Sequence, residues 1–284
     1  MDPVAMTQSG RDRLRRDGFL AVPGALGSAE VDRLAGALDR VYADERKRGR
    51  VTDGDPLHLL GGIWRDPAIA ELVDLPPTFA VIWGELGWNI HVHHCHLDVT
   101  PSRTTVSAPS WGWHQDGGRQ NLELDGHPRP RLSLKVCFWL SDVSRPDRGN
   151  MLVIPGSHVR DTLARPARPE LGFEAPAGAA PVLASPGDAL IFDRRLWHSR
   201  SDNVSALTRK AIFVAYTYRW IRPRDDLEID RQSARFRRLS PVRRQLLGEH
   251  ASPWSHWGLE RDSVPLRAAL ARLGLLDPSI PAQR

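Results

Sequence analysis

The sequence predicts an α+β domain, with helices first, short strands in the middle and helices last, around a β-sandwich or barrel. Three observations carry this. Up to about residue 86, apolar residues follow the helical i, i+3, i+4, i+7 spacing. From about residue 88, short β-branched and aromatic runs alternate with turn-rich stretches. After residue 222 a helical, basic pattern returns. Strands do not alternate with helices, and neither GxGxxG nor GxxxxGK[ST] occurs, which argues against a doubly wound parallel sheet. The 284 residues suit a single domain: a helical region over about 11–86, a β core over about 88–220 and a C-terminal helical extension over about 221–284.

Each element has its own signal. "DGFLAVPGAL" (17–26) reads as a short strand and a turn. Ser28 is placed to cap a helix whose apolar side is Val31, Leu34, Ala35, Leu38, Val41 and Tyr42. Residues 66–86 carry two short helical patterns, broken at Pro76–Pro77. "WNIHVHHCHLDV" (88–99), "RLSLKVCFWL" (131–140), "NMLVIP" (150–155), "DALIF" (188–192) and "RKAIFVAYTYRW" (209–220) read as strands. Leu239, Val242, Leu246 and Leu247 share one side of a late helix.

Composition narrows the partners. With 41% hydrophobic and 26% charged residues this is an ordinary globular chain. Nothing approaches eighteen consecutive apolar residues, and the N-terminus has no apolar signal core, so neither a membrane span nor secretion is expected. Cys95 and Cys137 make no disulfide framework; a cytoplasmic location is expected, with a single bridge between them left open. The net charge of +5 invites a nucleic-acid reading. It is set aside, because the positive charge is nearly all arginine spread along the chain, without RNA-binding aromatic signatures or zinc-finger spacings. The expected partner is a small molecule, and the sequence is silent on oligomeric state.

The chemistry concentrates in "SWGWHQDGG" (110–118). On a strand, residues two apart point to the same face, so His114 and Asp116 are placed to share a metal. A second pair, His96 and Asp98, has the same spacing, and two donors make no catalytic site. A non-haem iron centre needs a second histidine, with open positions opposite. In "FDRRLWHSRSDNVSALTRKAIF" (192–213), a strand ends shortly before His198 and another opens at Arg209. A cation at fixed depth behind a metal suits a dicarboxylate, and arginine has the planar fork for it. His250 with Arg261 and His256 with Arg267 repeat the spacing without flanking strands.

"HQDGG", "DRGNMLVIPGSH" (147–158) and "HSRSDNVSALTRKA" (198–211) resemble the phytanoyl-CoA dioxygenase family. "RRDGFLAVPGALGSAEVDRL" (15–34) and "LSPVRRQLLG" (239–248) are similar to it too, so the resemblance spans about residues 11–248. It implies a double-stranded β-helix, a cupin-like jelly roll, using Fe(II), 2-oxoglutarate and O2. It implies His114, Asp116 and His198 as iron ligands and Arg209 as the 2-oxoglutarate anchor. Ser199, Ser201 or Thr208 would offer the hydroxyl beside the far carboxylate; Arg200 departs from the small residue often found there.

Trp113, Gln115, His96 and Trp139 are expected on the substrate side. His94 is expected on the same face as His96, with His91 and His93 opposite. Hydrogen-bonded histidines in a half-buried strand are favoured over a second metal site at His96 and Asp98. Trp111, Trp113, Trp139 and Trp197 either line an aromatic pocket or pack the core. The loop 117–131 is a lid candidate, and a helical segment at 58–67 is expected across from it. Arg119 and Arg131 are candidates to meet an anion, or else face solvent. His158 is expected to hold a turn.

The resemblance implies hydroxylation of an unactivated C–H bond in a small-molecule metabolite, with release of succinate and CO2. Related halogenases lack the carboxylate that is present here as Asp116. Desaturation, epoxidation or cyclisation would use the same triad. A cupin-like metal-dependent isomerase or hydrolase and a non-catalytic scaffold are the rival classes. Arg209 separates the hydrolase from the dioxygenase, because a hydrolase needs no 2-oxoglutarate anchor.

Overall fold

The computed structural model describes residues 6–102, 112–164, 175–225, 233–249 and 264–278. In chain order come α1 (Gln8–Asp17), β1 (Phe19–Val22), α2 (Ser28–Lys47), β2 (Leu57–Leu60), α3 (Pro67–Ala70) and α4 (Pro76–Leu86). Then follow β3 (Ile90–Thr100), α5 (Gln120–Glu123), β4 (Ser133–Trp139), β5 (Met151–Val153), β6 (Ala180–Pro181), β7 (Ala189–Asp193), β8 (His198–Arg200) and β9 (Arg209–Tyr218). Three helices close the described chain: α6 (Ala234–Arg237), α7 (Pro241–Leu246) and α8 (Pro265–Arg272). A six-stranded antiparallel sheet, β1-β7-β4-β9-β3-β2, faces a three-stranded one, β6-β5-β8. This is the jelly-roll core, with helices at both ends of the chain.

Strand alternation decides which face goes where. Leu134, Val136 and Phe138 of β4, with Ile212, Val214 and Tyr216 of β9, join the cluster that the helices cover. Cys137, Trp139, Leu190, Phe192 and Phe213 turn the other way, toward Met151 and Val153 of the small sheet. The functional cavity opens on this second side. Gln245 at the end of α7 secures the C-terminal helices to the sheet. Its amide donates to Trp88 O at 3.0 Å and Ile90 O at 3.3 Å and accepts from Leu266 N at 2.8 Å.

Several local expectations are corrected. Gly27, not Ser28, is the N-cap of α2; Glu30 reaches back to accept from Gly27 N at 2.8 Å. The two helical patterns expected over 66–86 do part at Pro76–Pro77, which start α4 because an N-terminal turn has no use for their missing N–H. Residues 57–60 form β2, and only Gly62–Trp64 turn helically. Strands β2, β6 and β8, two to four residues each, are too short to show a period. Cys95 and Cys137 are both free and buried. No helix among the described residues is long and apolar enough to cross a membrane.

Candidate active site

His114 and His198 are held face to face. Each backbone N–H donates to the other's carbonyl at 3.0 Å, a single antiparallel bridge in place of the strand expected to carry His114 and Asp116. Asp116 follows two residues on, its N–H bonded to Arg194 O at 2.8 Å. The buried Arg194 guanidinium donates to Asp116 O at 3.2 Å and to Asn121 Oδ1 at 2.9 Å. Gly117 turns here with φ +128°, and a Cβ at that position would run into Arg194 and Asn121.

The side chains converge. One donor atom each from His114, Asp116 and His198 lie within 4.8 Å of one another. His114 Nδ1 is 2.8 Å from Gly112 O, and His198 Nδ1 is 2.9 Å from Leu196 O. A carbonyl only accepts, so each Nδ1 carries a proton and Nε2 is turned to the shared point. Burial lowers the His198 pKa to about 4, against the pull of Asp116, so its Nε2 lone pair is free at neutral pH. Burial pushes the Asp116 carboxyl up; the Lys135 ammonium beside it outweighs this and keeps the group ionised. Two imidazoles with Nδ1 tied to backbone carbonyls and one carboxylate suit the facial triad of a non-haem iron centre.

Arg209 opens β9, 2% exposed. Its NH1 donates to Asp98 Oδ2 at 3.0 Å. Its guanidinium lies over the Trp139 ring, 5.0 Å from the centroid, while its Nε has no hydrogen-bond partner. Ser199 and Ser201 reach the same cavity; Thr208 is exposed and does not line it.

That cavity, about 1090 Å³, joins the triad, Arg209 and the inner face of β3. Here a β-bulge between Val92 and His94 corrects the expected facing. The extra residue shifts the alternation, so Val92 and Cys95 both point to the helical core, and His93 joins His94, His96 and Asp98 on the cavity wall. His94 stacks on His96, and His96 on Phe213. The expected hydrogen bonds are missing: neither nitrogen of His94, nor the Nδ1 of His93 or His96, has a partner.

His58, from β2, closes the set. It pairs across the strands with Asp98, its Nδ1 2.7 Å from Asp98 Oδ1. His58, His96 and Asp98 also bring three donor atoms within 4.8 Å. Both oxygens of Asp98 are already engaged, one by His58 and one by the Arg209 cation, so this cluster supports Arg209.

The other expected residues are elsewhere. Trp113 and Trp139 are buried, and neither they nor Trp197 line the cavity. Trp197 Nε1 donates to Arg160 O at 2.9 Å, and Trp111 lies outside the described residues. Gln115 does line the cavity; its amide donates to Arg160 O and Arg195 O and accepts from Arg129. Arg131 bonds the buried Glu85 at 2.7 Å, and Arg119 pairs with Glu123 at the surface. Gly117, Gly118 and Gln120 at the start of the loop 117–131 border the cavity. His158 lies 3.1 Å from Arg15 O, consistent with holding a turn against α1.

The histidine wall has a consequence for stability. Burial, then Arg224, lowers the His93 pKa to about 4, and burial lowers His94 and His96 further. Unfolded imidazoles bind protons below their ordinary 6.5, so folding stability is present above that value and declines as the pH falls toward 4. For the 4% exposed His94 the loss is about 2 kcal/mol by pH 5, at about 1.4 kcal/mol per unit. Thermal melts of His94→Phe should therefore fall less steeply between pH 6.5 and 5. A slope equal to that of the unmodified protein would refute this.

A jelly roll carrying two histidines and an aspartate on one face defines the class: Fe(II)- and 2-oxoglutarate-dependent dioxygenases, which use O2. A profile of the phytanoyl-CoA dioxygenase (PhyH) family matches residues 14–211. The chain belongs to that family. Ectoine dioxygenase of Nocardia farcinica is 25% identical, over 76% of this chain and 80% of that protein. L-proline trans-4-hydroxylase of Streptomyces griseoviridis is 27% identical, over 72% and 84%. The fold matches HygX of Streptomyces hygroscopicus, solved with nickel and 2-oxoglutarate, at TM-score 0.61 and 18% identity over 78% of this chain and 90% of that one. It also matches SnoK, a non-haem α-ketoglutarate-dependent carbocyclase from nogalamycin biosynthesis, at TM-score 0.59 and 22% identity over 85% and 95%.

Proposed function

We propose that the protein hydroxylates an unactivated C–H bond of a small polar metabolite, with His114, Asp116 and His198 as the iron ligands and Arg209 as the anchor of the 2-oxoglutarate C5 carboxylate. The observation that carries this is the pair of imidazoles with Nδ1 tied to backbone carbonyls, converging with Asp116 in the cavity that holds Arg209. Iron with 2-oxoglutarate, when bound, supplies an oxidant strong enough to take hydrogen from carbon, while decarboxylation yields succinate and CO2.

The chain's own part is positioning. Backbone bonds between residues 114 and 198 fix the ligand face, so little reorganisation accompanies binding. Arg209, stacked on Trp139 and buttressed by Asp98, offers a cation of set direction to a carboxylate. Of the three hydroxyl residues expected beside that carboxylate, Ser199 and Ser201 line the same cavity. On the substrate side, His93, His94, His96, Gln115 and Arg224 make a wall suited to a hydrogen-bonding molecule rather than a long aliphatic chain. Phe192, Phe213 and Met151 are the apolar surface available to its C–H bonds. Ectoine and proline, named in the two relatives, are small and polar, which supports the same substrate class.

The test is anaerobic. Fe(II) and then 2-oxoglutarate are added to metal-free protein, and the weak visible charge-transfer band of a chelated keto acid is followed. The band is expected for the unmodified protein and expected to be lost in His198→Ala. Failure of the unmodified protein to form it would reject the assignment.

A further inference from the structure

Lys135 is a charge in an unusual place. It sits mid-strand in β4, in register with Phe192 of β7 and Ala215 of β9, 6% exposed. Its neighbours Leu134 and Val136 face the helical core, so Lys135 faces the cavity. The ammonium crosses the Phe192 ring at 5.5 Å from its centroid and ends 2.6 Å from Asp116 Oδ2. Taking an ammonium out of water costs several kcal/mol, which close pairing with a carboxylate offsets only in part. No other side chain forms a salt bridge to Asp116 among the described residues.

The residue type matters. The chain has only three lysines, at 47, 135 and 210, and draws almost all its positive charge from arginine. An arginine would meet a carboxylate with two parallel N–H bonds and occupy both oxygens. A lysine is a compact point charge and occupies one. Arg194, also buried, is directed to the backbone of Asp116 and to Asn121 rather than to the carboxylate. The Asp116 carboxylate thus has one oxygen ion-paired with Lys135 and the other left for a metal. An aspartate is free to bind a metal through one oxygen or two, and the second oxygen would occupy a position that an oxygenase keeps open.

We propose that Lys135 is a positioning residue: by holding Oδ2 of Asp116 it limits that carboxylate to a single metal-binding oxygen, and so keeps a neighbouring position open to 2-oxoglutarate. This rests on the iron and 2-oxoglutarate reading above. It assigns Lys135 no contact with substrate and no proton transfer. Its signature is a separation of two affinities, with metal binding preserved and chelation of the keto acid weakened.

The experiment titrates Co(II), and then 2-oxoglutarate on the Co(II)-loaded protein, anaerobically in unmodified protein, Lys135→Met and Lys135→Gln. Thermal melts establish that each variant is folded. Methionine has a similar length and no donor; glutamine restores a donor without the charge. In Lys135→Met, Co(II) affinity should stay within about threefold of the unmodified protein or rise, while 2-oxoglutarate affinity falls at least about tenfold. Lys135→Gln should recover most of that loss. Unchanged 2-oxoglutarate affinity in Lys135→Met would overturn the proposal. So would a parallel fall of both affinities, the mark of a merely structural lysine, or a glutamine variant as weak as methionine, the mark of charge alone. If the unmodified protein binds Co(II) but no 2-oxoglutarate, it is the underlying reading that fails.

Discussion

Asp116→Ala is expected to lose at least about a thousandfold in turnover, some 4 kcal/mol of transition-state stabilisation, while the protein stays folded. Two histidines remain, so the variant should still take up metal, with lower affinity. The buried Lys135 adds a second effect. Its ammonium lies 2.6 Å from the carboxylate that the mutation removes, and an uncompensated buried charge destabilises by about 3–5 kcal/mol. Removing that charge in Asp116→Ala/Lys135→Met should return most of the thermal stability and none of the turnover. Succinate release and melting temperature, measured on the single and double variants, separate the two roles. Full activity in Asp116→Ala would take the residue out of the triad. Stability unchanged by the single mutation would mean that Lys135 gives up its proton or finds another partner.

How much of this was legible beforehand depended on the distance over which the signal acts. His114, Asp116, His198 and Arg209 stood out because their types and the flanking strand pattern are local properties of the chain. Lys135 was equally visible as the one charge between Leu134 and Val136, but its meaning needed the face of β4 and the position of Asp116, nineteen residues away. Period-two reasoning puts His93 on the face away from His94, because it assumes no backbone irregularity such as the β-bulge found here. The partnership of His58 with Asp98 depends on the β2–β3 register, which no short motif encodes. The sequence places Trp139 against substrate; the aromatic ring instead lies beneath Arg209, a cation–π support that sequence offers no way to orient. Gly27 rather than Ser28 caps α2: Glu30, three residues on, accepts from the Gly27 N–H and so ties the helix start one residue earlier.

Arg209→Ala should weaken 2-oxoglutarate binding by about 2–5 kcal/mol, at least thirtyfold, and change metal affinity by less than about threefold. The arginine has two roles that the structure allows to be separated. Toward the cavity it is the proposed anchor for a carboxylate; toward β3 it neutralises Asp98, which is buried and held to it at 3.0 Å. Burial pushes the Asp98 carboxyl up, and His58 and Arg209 together bring it below its ordinary value, so it is charged in the folded protein. Without Arg209 that charge keeps only its contact with the His58 imidazole. Arg209→Ala should therefore also melt earlier than the unmodified protein. In Arg209→Ala/Asp98→Asn the buried charge is gone, and most of the stability should return while 2-oxoglutarate affinity stays low. Regained affinity in the double variant would show that Asp98, not the missing cation, had been excluding the co-substrate. Undiminished binding in the single variant would move the anchor elsewhere on the cavity wall, with Arg200 and Arg224 as the remaining guanidinium groups there.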